Sequence, residues 1–287
     1  VEYPFQQDFL FLDDLVQKRN YQVALPFSDS LLMKFQGDKS ASRNRMGYLY
    51  QRRAFINYQL QEFSRAVNDM NKAIEMRSPY LTQDTAGILG IYHLHLGSYL
   101  SAMNDNIGSE KALLTADSIF HISKSDIDQK INVLNNLGVF YLRSQKYPLA
   151  KKYLDKSIEL SEAHNINCTT EKLNRASLLL YNGFTKKAYH SIEQRFTLNM
   201  KERVQILEID LAYGILLKDQ EKIRSAIDSY ESIVNYFSSE SDPLFSANLY
   251  SNLLKAYNYL IDGNAKREML INGILSKKNS DYRTKLL

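Results

Sequence analysis

The chain has 287 residues, 44% of them hydrophobic and 24% charged, the balance expected of a globular chain large enough for one big domain or two ordinary ones. Its net charge of +4 is the small difference between 36 basic and 32 acidic side chains, and the pairs Lys151–Lys152, Lys186–Lys187 and Lys277–Lys278 stand among acids, which argues against the gathered basic face that nucleic acids require. The most apolar stretch, Ile88 to Leu96, is interrupted by His93 and His95, so no run nears the roughly 18 apolar residues of a membrane span.

Only 11 glycines and 5 prolines are present, and apolar residues recur at three- and four-residue spacing almost throughout, the helical period. Near the start, Ala24 is followed by Pro26, which costs a helix interior one hydrogen bond and predicts a kink. The first clear pattern is Arg53-Ala54, Leu60, Phe63, Ala66, then Ala73-Ile74. Next comes Asn104-Asp105-Asn106-Ile107-Gly108-Ser109, read as a turn-rich insertion ahead of a helix around Ala112. The second clear pattern is Leu137-Gly138, Tyr141, Tyr147, Ala150, then Ser157-Ile158, with Pro148 suited to a first helical turn.

In both patterns a small residue stands twelve positions before an alanine, an aromatic three before it, and a second small residue seven after it. Where two antiparallel helices cross closely, only Gly, Ala or Ser leaves room for the facing backbone. The aromatic fills the wedge beside the turn. Taking that alanine as a marker gives Ala24, Ala66, Ala112, Ala150, Ala188, Ala226 and Ala265, with gaps of 42, 46, 38, 38, 38 and 39 residues. The last marker follows Asp262-Gly263-Asn264 without the usual aromatic, as a terminal repeat with one face in water would allow.

Leu137-Gly138, Tyr141, Ala150, Leu154 and Ser157 resemble the tetratricopeptide-repeat pattern through one unit, and Ala54, Ala66, Met70 and Ala73 match it in the earlier one. Asn57 stands where the family favours an aromatic, Glu162 where it favours proline, and Pro79 one place beyond the terminal proline. The family period is ~34, so these helices are expected to be longer by about a turn. The resemblance implies an all-α, right-handed superhelical solenoid of about seven antiparallel helix pairs, one domain over 1–287, with first helices lining a concave groove.

That groove is the expected binding surface for a protein or peptide. One unit offers Asn132, Asn135, Asn136, Val139 and Arg143; the earlier one offers Tyr48, Gln51, Arg52, Phe55 and Gln59; Asn174 and Arg175 come from the unit after Cys168. An Asn amide can donate and accept towards one peptide unit, and Arg can fork onto a carboxylate. In the family such residues hold peptide backbones or terminal carboxylates, although the lysine and asparagine set of its chaperone-binding members is not reproduced here.

No sequence signature of catalysis accompanies this surface. His-Glu-x-x-His, Gly-x-Ser-x-Gly and glycine-rich phosphate loops are absent, and Asp13–Asp14 and Asp126–Asp128 fit helix starts and surfaces. His93 and His95, two apart on a helix, point about 200° apart and do not share a metal. No cofactor is expected. One cysteine, Cys168, excludes an internal disulfide and is expected to be buried. The 20 tyrosines are expected to fill helix crossings rather than form a stacking surface for bases or sugars.

A non-catalytic peptide-binding scaffold is the leading expectation. The alternative is a sensory or regulatory region of a larger bacterial signalling or transcription-regulating protein. The basic end from Lys277-Lys278 through Arg283 and Lys285 to Leu286-Leu287 is compatible with an adjacent membrane helix. The lone Cys168 is compatible with cytoplasm or periplasm, and Val1 in place of an initiating methionine fits a mature or excised chain, the periplasm being slightly favoured if a signal sequence was removed. A helical-repeat RNA binder is disfavoured by the irregular pitch and the mixed charge.

Overall fold

The computed structural model describes residues 6–36, 43–80, 86–122, 127–192, 200–236, 243–260 and 268. Among the described residues there are thirteen α-helices and no strand. They fall into two compact units, Val1–Ile166 and Asn167–Leu287.

The first unit holds α1 (Gln6–Gln17), α2 (Tyr21–Gln36), α3 (Arg43–Gln59), α4 (Phe63–Arg77), α5 (Ala86–Ala102), α6 (Asn106–Ile122), α7 (Ile127–Arg143) and α8 (Tyr147–Ala163). Each odd-numbered helix packs chiefly on the even-numbered one that follows, and each pair packs on the next. The second unit holds α9 (Thr169–Tyr181), α10 (Thr185–His190), α11 (Met200–Leu217), α12 (Gln220–Tyr236) and α13 (Pro243–Tyr257), with the same order of contacts. The seventh marker, Ala265, lies outside the described residues.

All six pairs close through one backbone device. Arg19, Gln61, Asn104, Gln145, Gly183 and Lys218 have φ between 55° and 82°, the left-handed region that commonly ends a helix. The residue after each donates its N–H to the carbonyl five positions back: Asn20 to Leu15, Glu62 to Asn57, Asp105 to Leu100, Lys146 to Tyr141, Phe184 to Leu179 and Asp219 to Gly214, at 2.8–3.0 Å. Four positions further on, Ala24, Ala66, Ser109, Ala150, Ala188 and Ile223 open the second helix by donating back to that residue's carbonyl at 2.9–3.0 Å.

The turns correct the register in two pairs. In α6 and α12 the marker place is taken by Ser109 and Ile223, and Ala112 and Ala226 lie three residues on, buried in the same helices. The spacings between markers become 42, 43, 41, 38 and 35 residues. Asn104 to Ser109 is therefore no insertion: it is the same turn as in the other pairs, running straight into α6. Pro26 lies inside α2, which runs on past it to Gln36.

Small residues sit where the backbones meet. A methyl group added at Gly138 would lie 2.5 Å from Leu154 Cγ, and one at Gly97 2.7 Å from Leu113 Cγ. Ser109 Oγ donates to the Gly97 carbonyl at 2.8 Å, and Ser157 Oγ to that of Ile131 at 3.2 Å, both buried. Thus a serine at a crossing both fits the gap and satisfies a facing carbonyl. Around these points the first unit buries Leu12, Leu31, Phe35, Leu49, Met70 and Tyr99, and the second buries Leu207, Ile223, Ile227, Tyr230 and Leu253.

Asn57, in an aromatic's place, is buried and donates from Nδ2 to Asp69 Oδ2 at 3.0 Å. Asp69 also receives Arg53 in a two-pronged pair, and Arg53 Nη1 reaches Asp29 at 2.7 Å. One charged cluster therefore ties α2, α3 and α4 together where rings would otherwise pack. Tyrosines stitch one pair to the next: Tyr141 donates to Glu110 across α7 and α6 at 2.8 Å, and Tyr257 to Glu231 across α13 and α12 at 2.7 Å. Burial, reinforced by those carboxylates, pushes both phenols above the usual tyrosine range.

Candidate functional site

In the first unit, α7 buries Ile131, Val133, Leu134, Leu137, Gly138, Phe140 and Tyr141. What remains is a stripe at helical spacing: Asn132 and Arg143 are exposed, and Asn135, Asn136 and Val139 are half-buried. Asn136 Nδ2 donates to the Asn132 carbonyl at 2.8 Å, so one amide is spent holding its own helix and the stripe is pre-set in direction. The structure brings these four predicted polar residues together on one helix face.

On α3 the predicted residues divide. Gln51 is buried, 7% exposed, and belongs to the interior of the unit. Arg52 is half-buried and held fast: its Nε lies 2.8 Å from Asp13 Oδ1 and donates to Tyr48 Oη at 2.9 Å, while its guanidinium sits 5.0 Å from the Tyr48 ring centre. Tyr48 Oη in turn donates to Asp13, 2.7 and 2.6 Å from the two carboxylate oxygens. Burial and the Asp13 hydrogen bond push the Tyr48 phenol up to about 12. Asp13, read from the sequence as a helix-surface acid, is instead the bond between α1 and α3. No local spacing signals it, because its partners lie 35 or more residues away in the chain.

Arg52 also acts on α5. Burial holds His95 below the usual histidine range, and the positive charge of Arg52 adds to that. His93 is lowered by burial alone. The Nδ1 atoms of both rings are buried without a hydrogen-bond partner among the described residues. Among those residues, no group of three or more His, Cys, Asp or Glu could hold a metal ion, and no helix is long and apolar enough to cross a membrane.

Asn174 and Arg175 lie on α9, in the second unit. Asn174 is buried and accepts from Gln205 Nε2 at 3.0 Å, joining α9 to α11; Arg175 is half-buried. Cys168, also buried, directly precedes α9.

No family model matches the sequence, and no curated protein matches it. Solved structures do. The chain is similar to the C-terminal part of a TPR repeat-containing protein from Cytophaga hutchinsonii, at 16% identity and TM-score 0.50, over 97% of this chain and 99% of that one. It is similar to PilF of Pseudomonas aeruginosa, at 17% identity and TM-score 0.54, over 84% of this chain and 96% of that one. It is also similar to a Rap protein complexed with competence and sporulation factor, at 11% identity and TM-score 0.64, over 97% of this chain and 74% of that one. Helix pairs closed by one repeated turn, with small residues at their crossings, and this likeness to solved repeat proteins make the fold tetratricopeptide-repeat-like.

Proposed function

We propose that the chain is a non-catalytic scaffold that binds a protein segment or peptide along the first helices of its first unit. The observation that carries this reading is the α7 stripe. Asn132, Asn135, Asn136 and Arg143 gather on the side of α7 left over from its apolar packing, with the donors and acceptors that a peptide backbone or carboxylate needs. Arg52 adds a second cationic group on α3, its orientation set by Asp13 and Tyr48. The fold supports the reading, because stacked helix pairs present an extended face to one partner. Among the structural neighbours, the Rap protein was solved with competence and sporulation factor bound.

The test is selection of binders from a random displayed peptide library, followed by calorimetry on the selected sequences. Asn136→Ala combined with Arg143→Ala is expected to weaken binding by about tenfold or more, equivalent to ~1.4 kcal/mol, with the helical circular dichroism unchanged. Selected peptides that bind the double variant as tightly as the parent would remove the α7 stripe from the account.

A further inference from the structure

The second unit carries an edge whose chemistry its fold does not require. α9 and α11 run parallel, since Thr170 meets Glu202, Asn174 meets Gln205 and Tyr181 meets Glu208 in the same order along both. Their ends, and the turns at Gly183 and Lys218 that follow them, therefore lie on one side of the unit. Gln220 Nε2 donates to the Tyr259 carbonyl at 3.2 Å, which brings the end of α13 to the same side. Phe184, Leu216, Leu217 and Tyr259 stand at these three helix ends, each 47–57% exposed.

The turn itself does not ask for them. Phe184 follows the left-handed residue, where the other five turns place Asn20, Glu62, Asp105, Lys146 and Asp219, all polar. Leu216 lies two before the left-handed residue, where the others have Gln17, Gln59, Ala102, Arg143 and Tyr181. Apolar bulk gathered in water against the local pattern marks a contact surface.

The charges on the same edge are lopsided. Residues 182–187 and 216–222 hold four lysines against Asp219 and Glu221. Asp219 is spent within its turn, accepting the Lys222 main-chain N–H at 3.0 Å and pairing with the Lys222 amine at 3.7 Å. Lys186 and Lys218 are exposed and carry no ion pair among the described residues. Lys187 sits over the Phe184 ring, 5.1 Å from its centre.

We infer that this edge docks on an anionic lipid surface, its four apolar side chains entering the headgroup layer and its lysines resting on the phosphates. Half-exposed apolar groups interleaved with lysines are the pairing that the boundary between acyl chains and charged headgroups favours. Single-stranded nucleic acid fits less well: leucine offers no face for a base, and Lys187 already covers the Phe184 ring. All four apolar groups flank helix ends rather than line a groove, so an extended peptide finds no channel between them. The inference concerns the second unit and is independent of the α7 stripe in the first.

The chain has no tryptophan, so Leu217→Trp in the full chain supplies a single fluorescent reporter. With vesicles of phosphatidylcholine and phosphatidylglycerol the protein is expected to co-sediment, the indole emission to move to the blue and brominated acyl chains to quench it. Pure phosphatidylcholine should capture about tenfold less, and rising salt should release the protein. In the parent background, Lys186→Gln combined with Lys187→Gln is expected to lower the partition coefficient about tenfold or more. Phe184→Ser and Leu216→Ser should each lower it about fivefold. These side chains are exposed, so the helical circular dichroism should not change; if Phe184→Ser loosens its turn, Leu216→Ser and the lysine pair still decide. Absence of sedimentation at millimolar anionic lipid overturns the assignment, as does sedimentation without a blue shift, which is adsorption through another face. Binding of single-stranded RNA, or self-association without lipid, that the same variants abolish also overturns it. Asn136→Ala combined with Arg143→Ala should bind vesicles as the parent does, so the lipid and peptide readings fail separately.

Discussion

Arg53 meets Asp69 in a forked pair, Nε to Oδ2 at 2.8 Å and Nη2 to Oδ1 at 2.7 Å, joining the two helices of the α3–α4 pair. Asp69 is 3% exposed in its side chain, whereas Asp29, the other acid on Arg53, is 44% exposed. The two carboxylates therefore differ in what their loss leaves behind. Without Asp69, a largely covered guanidinium is left with Asp29 alone and the Asn57 amide loses its acceptor; without Asp29, water reaches the vacated N–H.

Asp69→Asn is accordingly expected to destabilise the fold by about 3 kcal/mol, the lower end for one partner of a buried pair. Asp29→Asn should cost no more than ~1 kcal/mol, as for an exposed pair. Urea unfolding of both variants checks the ranking. Equal costs would show that the cluster gains nothing from burial.

Gly138→Ala tests the crossing of α7 and α8. The new methyl would press on Leu154 Cγ and Cδ2, at 2.5 and 2.6 Å, with the Leu154 main-chain nitrogen at 3.3 Å behind them. The expected cost is about 1–3 kcal/mol, although alanine is the better helix former by about 1 kcal/mol. A thermal melt no lower than the parent's would mean that the two helices can part without penalty.

Gln145→Gly addresses the repeated turn from the opposite side. Gln145 sits at φ 58° between α7 and α8, a conformation that costs an ordinary side chain roughly 1 kcal/mol and glycine little. The substitution is expected to stabilise the protein by up to ~1 kcal/mol, read as a higher melting temperature. The same change at Gly183's counterpart Asn104 should gain less, because asparagine tolerates this region better than glutamine. A loss of stability at Gln145 would show that its side chain contributes more than the turn's strain removes.

The helical class and the pairing were legible because both depend on patterns local in sequence: the helical period, and small residues at fixed offsets around Ala66 and Ala150. The turns were less legible. Of the six left-handed positions inside the helix pairs only Gly183 is a glycine, so the usual letter for a helix end was missing from Arg19, Gln61, Asn104, Gln145 and Lys218. That is why Ala112 and Ala226 stood in for Ser109 and Ile223. On the candidate site, the α7 stripe followed from spacing on one helix, so Asn132, Asn135, Asn136 and Arg143 could be read directly. The Asp13–Tyr48–Arg52 cluster joins α1 to α3, and nothing in a linear chain announces which distant acid will settle on which tyrosine.

Each of the six turns joins helices adjacent in the chain, so a large share of the core forms between residues only tens of positions apart. Little loop-closure entropy opposes such contacts, which favours rapid folding. Any one hairpin can act as the seed from which neighbours zip outward. A lesion at one turn should then fray the stack locally, leaving the flanking hairpins to hold their shape.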